Sequence, residues 1–245
     1  MELLHSCPHH RLIWITRGQG VAVLNGARSG ISLHNVLFVP AGQVAAFDFG
    51  KPCFGQALLL EDGLVTTLPD KPLHLRVREA TAQADLIALL DALGREQALN
   101  GQQQSDALAA YATLIGVWLN RNTPTASQAK RTTAAHRLMQ GYFARLATKF
   151  DSGESMANHA EALNVTSTHL TRVSKAETGH TASALLIQRL LHAARSELCA
   201  TQDKSNVISD RLGFSSPAYF SRFVQTHTGQ SPTALRKAAQ PVVEA

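Results

Sequence analysis

The stretch LGFSSPAYFSRF, residues 212–223, carries the signals of a tight turn followed by a short helix. Gly213 tolerates the positive φ angle that many turns between helices require. Two serines precede Pro217; serine side chains accept hydrogen bonds from backbone N–H groups at a helix start, where proline is also favoured. Phe220 and Phe223 are three residues apart and share one face. The stretch therefore predicts a turn and a helix that buries its aromatic side.

A second short helix is predicted directly before this turn. Ile208 and Leu212 are four residues apart, which places both on one face of a helix that starts near Val207. Helix, turn and helix in this order form a helix-turn-helix unit, whose second helix is the one that enters the major groove in DNA-binding proteins. We therefore predict such a unit over residues 207–228.

The same arrangement is predicted about 50 residues earlier, from Glu154 to Gly179. Asn164 lies at the turn and Thr166 is the predicted N-cap of the second helix, in which Leu170 and Val173 face inward. The two units end in the same dipeptide, and one long helix joins them: Thr178-Gly179, Thr228-Gly229 and residues 182–200. This is the pattern of an internal repeat.

These motifs resemble a known family. The run LGFSSPAYFSRF, with TGQSP at 228–232 and Arg236, resembles the closing signature of the AraC/XylS family of bacterial transcription regulators, and the earlier unit resembles that family's first helix-turn-helix. The resemblance covers about 100 residues. It implies that the second helix of each unit reads one major groove. The residues that it places at the DNA are Ser167, Thr168, Thr171, Arg172, Ser215, Ser216, Ala218, Tyr219 and Arg222.

Arg172 and Arg222 occupy equivalent places in the two units. An arginine can make a bidentate contact to guanine that is worth about 1–3 kcal/mol of discrimination. An isolated arginine is more often a solvated surface residue, but the paired placement favours DNA contact. The chain departs from the family pattern at Ser174, where a phenylalanine is usual, and at Val224 and Gln225, where an aromatic residue and a lysine are usual. We expect a thinner core in the first unit and one phosphate contact fewer in the second.

Positive charge is concentrated in the half of the chain that carries these motifs. Residues 1–125 carry 9 Lys/Arg against 10 Asp/Glu, whereas residues 126–245 carry 14 against 8. A basic domain attracts polyanions. The charge distribution therefore agrees with a nucleic-acid partner for the C-terminal half.

The N-terminal half has the pattern of short strands. Apolar runs alternate with turn residues, and Asn25-Gly26 between two such runs predicts a tight hairpin. The predicted strands are RLIWIT (11–16), VAVL (21–24), VLFVP (36–40) and VAAFDF (44–49). From about residue 81 the period becomes helical, with one stripe of leucines over 86–93 and a second over 108–118. We predict a small barrel followed by a helix pair.

Together these patterns predict an α+β fold with two domains. The first is a cupin-like regulatory and dimerisation domain over residues 1–120, with its barrel at about 1–80 and its helices at about 81–120. A polar stretch that Pro124 interrupts is the predicted linker, residues 121–130. The second is an all-helical DNA-binding domain over residues 131–240. The cupin assignment rests on a resemblance of residues 10–26 and 35–47 to the front domain of the same family.

Metal-binding cupins carry His-x-His followed by Glu in one motif and Pro-x-Gly-x-x-His in the other. Here Pro40 and Gly42 are followed by Ala45 where the histidine would stand, and no glutamate lies between residues 11 and 20. A catalytic metal needs about three converging protein ligands. We therefore expect no metal, no cofactor and no catalytic residues.

The stretch HSCPHH, residues 5–10, offers a thiol and three imidazoles. His9 and His10 are adjacent and would point to opposite faces of a strand. We interpret the stretch as an irregular segment. Sensing through Cys7 with a neighbouring histidine, and one imidazole in a ligand pocket, stay open as alternatives. The three cysteines of the chain are too few and too far apart for a disulfide framework.

A small barrel can enclose one ligand without a metal. We predict a small-molecule effector in this domain. The candidate ligand-binding residues are His10, Trp14, Arg17, Phe38 and Phe47.

The expected partners follow from these assignments. They are double-stranded promoter DNA, the effector, a second copy of the chain and RNA polymerase. No segment has the length of a signal peptide or a membrane span, so we expect a cytoplasmic protein. Two alternatives stay open: a metal-dependent cupin enzyme with a tethered DNA-binding region, and a ligand-independent regulator whose barrel only holds a dimer together.

Overall fold

A computed structural model describes residues 3–99, 101–124 and 133–239. The chain folds into two compact units. The N-terminal unit is Ser6–Ala134, and the C-terminal unit runs from Ala135 onward and includes residues 3–5. The first is rich in strands and the second is helical, which confirms the predicted fold class. Of the predicted linker, residues 121 and 122 lie in a helix, and residues 125–130 lie outside the described residues.

The N-terminal unit contains two antiparallel sheets. One has the strand order β6-β1-β4-β7 and the other β3-β2-β5. The described strands form two sheets and do not close into one hydrogen-bonded cylinder. The bounds are β1 (His9–Arg17), β2 (Gln19–Leu24), β3 (Ala27–Ser32), β4 (Asn35–Val39), β5 (Ala45–Phe49), β6 (Phe54–Glu61) and β7 (Leu73–Arg76).

The predicted Asn-Gly hairpin is confirmed. Asn25 and Gly26 have φ angles of 51° and 81°, and Leu24 pairs with Ala27 across β2 and β3. Positive φ at both central residues matches the twist of the flanking strands. Strand β3 was not predicted, because its sequence ARSGIS contains Ile31 as its one large apolar residue.

The four-stranded sheet is buried on both faces. Along β1, Leu12 and Trp14 point to one side, whereas Ile13 points to the other. The Ile13 side meets the three-stranded sheet in an apolar core that includes Leu37 and Phe47. The sheet therefore forms the middle layer of three.

The third layer is a helix pair, α1 (Ala80–Leu99) and α2 (Gln104–Asn122), packed on the Trp14 side of the sheet. Leu86 and Leu90 are buried there, so the predicted leucine stripe forms part of the core of this unit. The Trp118 indole N–H donates to the carbonyl of Ala82 at 3.0 Å, which joins the two helices.

The C-terminal unit consists, in its described part, of seven helices, of which α6 is central. Helix α6 contacts α5, α7, α8 and α9. The unit also includes residues 3–5: Leu4 is fully buried, and the rings of His5 and His192 stack with 4.6 Å between centroids. The bounds are α3 (Ala134–Thr148), α4 (Met156–Glu161), α5 (Ser167–Thr178), α6 (Ala182–Ala200), α7 (Ser205–Arg211), α8 (Pro217–Thr228) and α9 (Pro232–Ala239). Among the described helices, none is both long enough and apolar enough to cross a bilayer.

Candidate nucleic-acid interface

The second unit, α7 and α8, has the predicted turn and cap. Gly213 has a φ of 73°, and the Ser216 hydroxyl accepts a hydrogen bond from the Tyr219 backbone N–H at 3.2 Å. Phe214, just after the turn, packs its ring against those of Phe220 and Phe223, with centroids 5.2 and 5.0 Å apart. The aromatic face of α8 is thus buried against the turn, which leaves the opposite face of α8 at the surface.

The first unit, α4 and α5, repeats this geometry. Asn164 has a φ of 55° at the turn, and the Thr166 hydroxyl accepts from the His169 backbone N–H at 3.2 Å. Leu170 and Val173 face inward. The N-caps Thr166 and Ser216 are 50 residues apart, so the two second helices can be compared position by position.

The ends of α5 and α8 also match. Gly179 and Gly229 have φ angles of 80° and 74°. Before them, the hydroxyls of Thr178 and Thr228 donate to carbonyls one turn back, at 2.7 and 2.8 Å. Glycine in this left-handed conformation is the usual helix stop. The Thr-Gly pairs are therefore two copies of one C-terminal cap, which confirms the internal repeat.

The predicted reading residues are exposed or partly buried at the surface. On α8, Tyr219 is 53% exposed, and Ala218 and Arg222 are exposed. On α5, Thr168 and Arg172 are exposed. Those that are partly buried are Ser167, Thr171 and Ser216, and Ser215 is exposed in the turn. Each second helix thus has an exposed face with one arginine at the same position.

Sequence reasoning missed His169. It is exposed on α5 at the position that Tyr219 holds on α8, and its Nδ1 atom lies 3.2 Å from a terminal nitrogen of Arg172. The 50-residue offset between the two caps would have identified it, because it pairs His169 with a residue already predicted to face DNA.

The Ser174 substitution has a structural counterpart. The Ser174 side chain is fully buried, and its hydroxyl donates a hydrogen bond to the His180 carbonyl at 2.8 Å. The Thr178 hydroxyl donates to the same carbonyl at 3.2 Å. The family's aromatic residue is thus replaced by hydrogen bonds that hold the loop between α5 and α6. Gln225 is exposed, as a phosphate-contacting residue would be.

His159 occupies a core position of the first unit, where the second unit has Ile208. Its side chain is 1% exposed, and the Arg145 Nε–H donates to its Nδ1 atom at 3.3 Å. Arg145 also pairs with Glu154. Because Nδ1 accepts, the proton of the neutral ring is on Nε2, which has no hydrogen-bond partner among the described residues. Burial, and then the Arg145 charge, lower the pKa of His159, against the opposing effect of Glu154.

This lowered pKa predicts a loss of stability in mild acid. Below a pH of about 6.5 the unfolded chain binds a proton at this histidine, whereas the folded chain does not until the pH reaches its lower pKa. The free energy of unfolding therefore falls as the pH drops through this window. His159→Asn keeps an acceptor for Arg145 but does not titrate. We expect the urea midpoint of the variant to change less between pH 7.5 and 5.5 than that of the unmodified chain; equal changes would contradict the assignment.

The five predicted ligand residues do not come together. Trp14 and Phe38 lie on the helix side of the four-stranded sheet and fill that core. His10 stacks on Phe38 and contacts Asp62 at 3.1 Å, and Arg17 is exposed beside Phe54. Phe47 alone of the five faces the space between the sheets.

Arg11, the neighbour of His10 along β1, also faces the region between the sheets. Its side chain is 6% exposed and its guanidinium lies 5.8 Å from the centre of the Phe47 ring. It donates to the carbonyl of Gln43 at 3.2 Å.

The HSCPHH stretch is dispersed. His5 belongs to the C-terminal unit, whereas His10 is held in the N-terminal unit by Asp62 and by the Ala41 backbone N–H at 3.2 Å. The Cys7 carbonyl accepts from the Gly42 N–H at 2.8 Å. Within the described ranges, no group of three or more His, Cys, Asp or Glu side chains is arranged to hold a metal ion, and the three cysteines are free.

The comparison with protein families assigns the C-terminal region. Residues 159–238 match the family described as a helix-turn-helix domain, a span that begins in α4 and reaches α9. Together with the repeated geometry, this match confirms the resemblance to AraC/XylS regulators in this region. The region is a DNA-binding domain of the helix-turn-helix type. The comparison with curated proteins finds no match.

Several solved structures are similar to this chain. ToxT from Vibrio cholerae, crystallised with an unsaturated fatty acid, is 11% identical over 100% of this chain and 92% of its own, with a TM-score of 0.44. The C-terminal domain of AraT, a response regulator from Geobacillus stearothermophilus, is 23% identical over 47% of this chain and 94% of its own, with a TM-score of 0.41. A C-terminal response-regulator domain from Fusobacterium nucleatum is 24% identical over 36% and 86%, with a TM-score of 0.35. The assignment rests on the family match and not on these distant similarities.

Proposed function

We propose that the chain is a sequence-specific transcription regulator of the AraC/XylS type, whose two helix-turn-helix units read successive major grooves of a promoter. The observation that carries this proposal is the repeat itself. Two second helices begin and end in the same cap geometry, and each has an exposed arginine at the same position, Arg172 and Arg222. The repetition of both the cap geometry and the exposed arginine favours a shared role in DNA contact for the two helices.

The two units have different roles in this proposal. Unit two offers Tyr219 and Arg222, which have the reach for base edges, whereas unit one offers the shorter Thr168 and Thr171 beside Arg172. Serine and threonine hydroxyls can contact several bases and discriminate less. We expect the half-site read by α8 to contribute more of the sequence specificity.

The test is fluorescence anisotropy of the full chain with duplexes from the DNA that flanks its own coding region, beside scrambled duplexes of equal length. We expect tighter binding to one native duplex, with log affinity falling by about 0.9 for each neutralised phosphate per log unit of salt. Equal affinity for native, scrambled and library-selected duplexes would overturn the proposal.

A small-molecule effector is the second part of the proposal. Within the N-terminal unit, the region between the two sheets combines an aromatic ring, Phe47, with a largely buried guanidinium, Arg11. Trp14 and Phe38 would act only indirectly, as the wall between this space and the helix pair. An effector acts by favouring one arrangement of the two helix-turn-helix units over another, so its binding must change DNA affinity.

Dimerisation is the third part. The outer surface of α1 and α2 carries two exposed large apolar side chains: Ile87, which is 39% exposed, and Leu114, which is 49% exposed and lines a cavity of about 400 Å³. Asp85 and Arg121 also line this cavity. In a two-fold interface each copy presents the same patch to the other, so one copy's acidic side chain can meet the other's basic one.

Leu114→Asp is therefore expected to weaken the dimer. A carboxylate at the centre of an apolar patch must be desolvated when the copies meet, and we expect at least a 10-fold rise in the dimer dissociation constant. Sedimentation velocity over a concentration series measures it. Leu33→Asp, at a residue that is 47% exposed on a strand connection, is the matched control. A chain that is monomeric before substitution would refute this interface.

The remaining expectations follow from the DNA-binding role. A protein that acts at bacterial promoters works in the cytoplasm, and RNA polymerase is its expected partner there. The proposal is of a regulator that is not an enzyme. The metal-dependent alternative requires converging ligands, which the described residues do not provide.

A further inference from the structure

His169 and Arg172 lie on the exposed face of α5, one turn apart, and contact each other. A terminal nitrogen of Arg172 lies 3.2 Å from His169 Nδ1. The guanidinium has only N–H groups and must donate, so Nδ1 is the acceptor and carries no proton. The proton of the neutral imidazole is then on Nε2, on the far edge of the ring. The contact exists only while His169 is neutral.

The direction of this contact matters for reading DNA. His169 is the third residue of α5, which begins directly after its N-cap Thr166, and Arg172 is about one turn further along the helix. In helix-turn-helix proteins, the N-terminal residues of the second helix contact the base edges. The contact therefore draws the guanidinium toward the end of α5 that meets bases. It uses one N–H of five, so a pair of donors stays free for a guanine.

We propose that His169 is a positioning residue that sets whether Arg172 reads a base or a phosphate, and that protonation of His169 switches the first unit from sequence-specific to non-specific contact. The inference rests on the proposed DNA-binding function and deepens it. Histidine takes up a proton between pH 5 and 8. The imidazolium cannot accept from Arg172, and it places a second positive charge beside it. Arg172 is then released to the phosphates, which carry no sequence information.

Few other charges surround this pair. Arg172 is the one charged side chain in contact with His169 among the described residues, and the His169 backbone N–H is taken by Thr166. Along α5 the next charges are Lys175, which is exposed, and Glu177, which lies 3.9 Å from His136. No carboxylate in the described part of the chain forms a hydrogen bond or ion pair with either side chain, so no such described partner offsets the repulsion between an imidazolium and the guanidinium.

The second unit supplies the internal control. Tyr219 holds the place of His169, and Arg222 holds that of Arg172. The phenol of Tyr219 cannot form the imidazolium on which the switch depends, so the reading of the second half-site should not change between pH 5.5 and 7.5. The two half-sites of one duplex therefore report a switching and a non-switching unit in the same experiment.

The experiment starts with duplexes selected by the full chain from a random library at pH 7.5. Anisotropy then measures the discrimination ratio, which is the affinity for the selected duplex divided by that for a duplex with one half-site altered. We expect the ratio for the α5 half-site to fall about 10-fold between pH 7.5 and 5.5, as one bidentate base contact is lost. Affinity for a scrambled duplex should not fall over the same range.

Two variants separate positioning from a structural role. His169→Gln provides a neutral acceptor, so it should keep the α5 ratio at pH 7.5 and no longer lose it at pH 5.5. His169→Leu cannot accept, so its α5 ratio should be low at both values. A flat ratio in the unmodified chain, or full discrimination in the leucine variant, would overturn the inference. If the chain discriminates neither half-site, the proposed function itself fails. If it discriminates the α8 half-site but the discrimination ratio for the α5 half-site is the same in all variants at position 169, only this inference fails.

Discussion

Gly213→Val is expected to destabilise the C-terminal unit by about 3 kcal/mol or more. Two independent reasons combine. Gly213 has a φ of 73°, a conformation that side chains with a Cβ rarely adopt, and a Cβ there would lie 2.3 Å from the Asp151 carbonyl oxygen and 2.5 Å from the Gly153 nitrogen. Both contacts are with backbone, which cannot move aside as a side-chain tip can. Urea unfolding followed by far-UV circular dichroism, which reports the helices, measures the loss.

A substitution at Gly229 measures the conformational cost separately from the steric clash. The φ of Gly229 is 74°, the same conformation, but a Cβ there would meet no atom within 4 Å. Gly229→Ala should therefore show the conformational cost alone, about 1 kcal/mol, whereas Gly213→Ala should show that cost plus the clash. Equal losses for the two alanine variants would mean that the loop at residues 151–153 can withdraw from the turn without cost.

Substitution of Gly213 should also affect the proposed DNA-binding surface formed by α5 and α8. The 151–153 loop leads into α4 of the first unit, and Gly213 is the turn of the second, so this close backbone contact connects the turn of the second unit with the segment that leads into the first. A variant that folds with the loop displaced would shift α8 relative to α5. We expect Gly213→Ala to lose affinity for a two-half-site duplex at temperatures where it is still folded, because both helices must meet their grooves together.

The helix-turn-helix units could be predicted because their signals are local. The Ser216 cap, Pro217 and the Gly213 turn lie within five residues, and each depends on its own backbone conformation. The same holds for the Asn25-Gly26 hairpin, where two adjacent residues determine the turn. Turns and caps of this kind can be predicted from a few neighbouring residues without knowledge of the rest of the fold.

The faces of the central sheet could not be predicted for a physical reason. Leu12, Trp14 and Ile15 of β1 are all buried, because the strand lies in the middle of three layers. Alternation identifies a buried side only when the other side is polar. Nothing in the run LIWI distinguishes the face that meets the second sheet from the face that meets the helices. For that reason the sequence alone does not separate Trp14 and Phe38 from Phe47, although they point the other way.

One polar cluster between the strands could not be predicted from the sequence either. Ser29, Asn35 and His74 are far apart in sequence, yet His74 lies 2.9 Å from the Ser29 hydroxyl and 2.8 Å from the Asn35 side-chain oxygen. They join β3 of one sheet to β4 and β7 of the other. Burial lowers the pKa of His74, so the ring is neutral at pH 7 and can bond to both. Only the pairing of the strands brings them together, and no spacing in the sequence encodes it.

Arg222→Ala is expected to weaken binding to the selected duplex by about 1–3 kcal/mol, which is about 5- to 150-fold in affinity. Arg222 is exposed on the face of α8 opposite the buried Phe220 and Phe223, and no salt bridge within the described residues holds it in the free protein. Its removal should therefore leave the free energy of unfolding nearly unchanged. Anisotropy against the selected and scrambled duplexes, with urea unfolding beside it, measures both.

Arg222→Lys distinguishes a base contact from a phosphate contact. Lysine keeps the charge but loses the planar pair of donors that matches guanine. If Arg222 reads a base, the lysine variant loses discrimination for the α8 half-site and keeps its affinity for scrambled DNA. If Arg222 binds a phosphate, the lysine variant binds nearly as the unmodified chain does, and the alanine variant loses affinity for all sequences alike and lowers the salt slope by about 1. Thr226→Ala, at another exposed position of α8 to which no DNA contact is assigned, is the control for a general disturbance of the helix. Unchanged discrimination in both arginine variants would remove Arg222 from the reading surface and would leave Tyr219 and Ala218 as the residues by which α8 contacts bases.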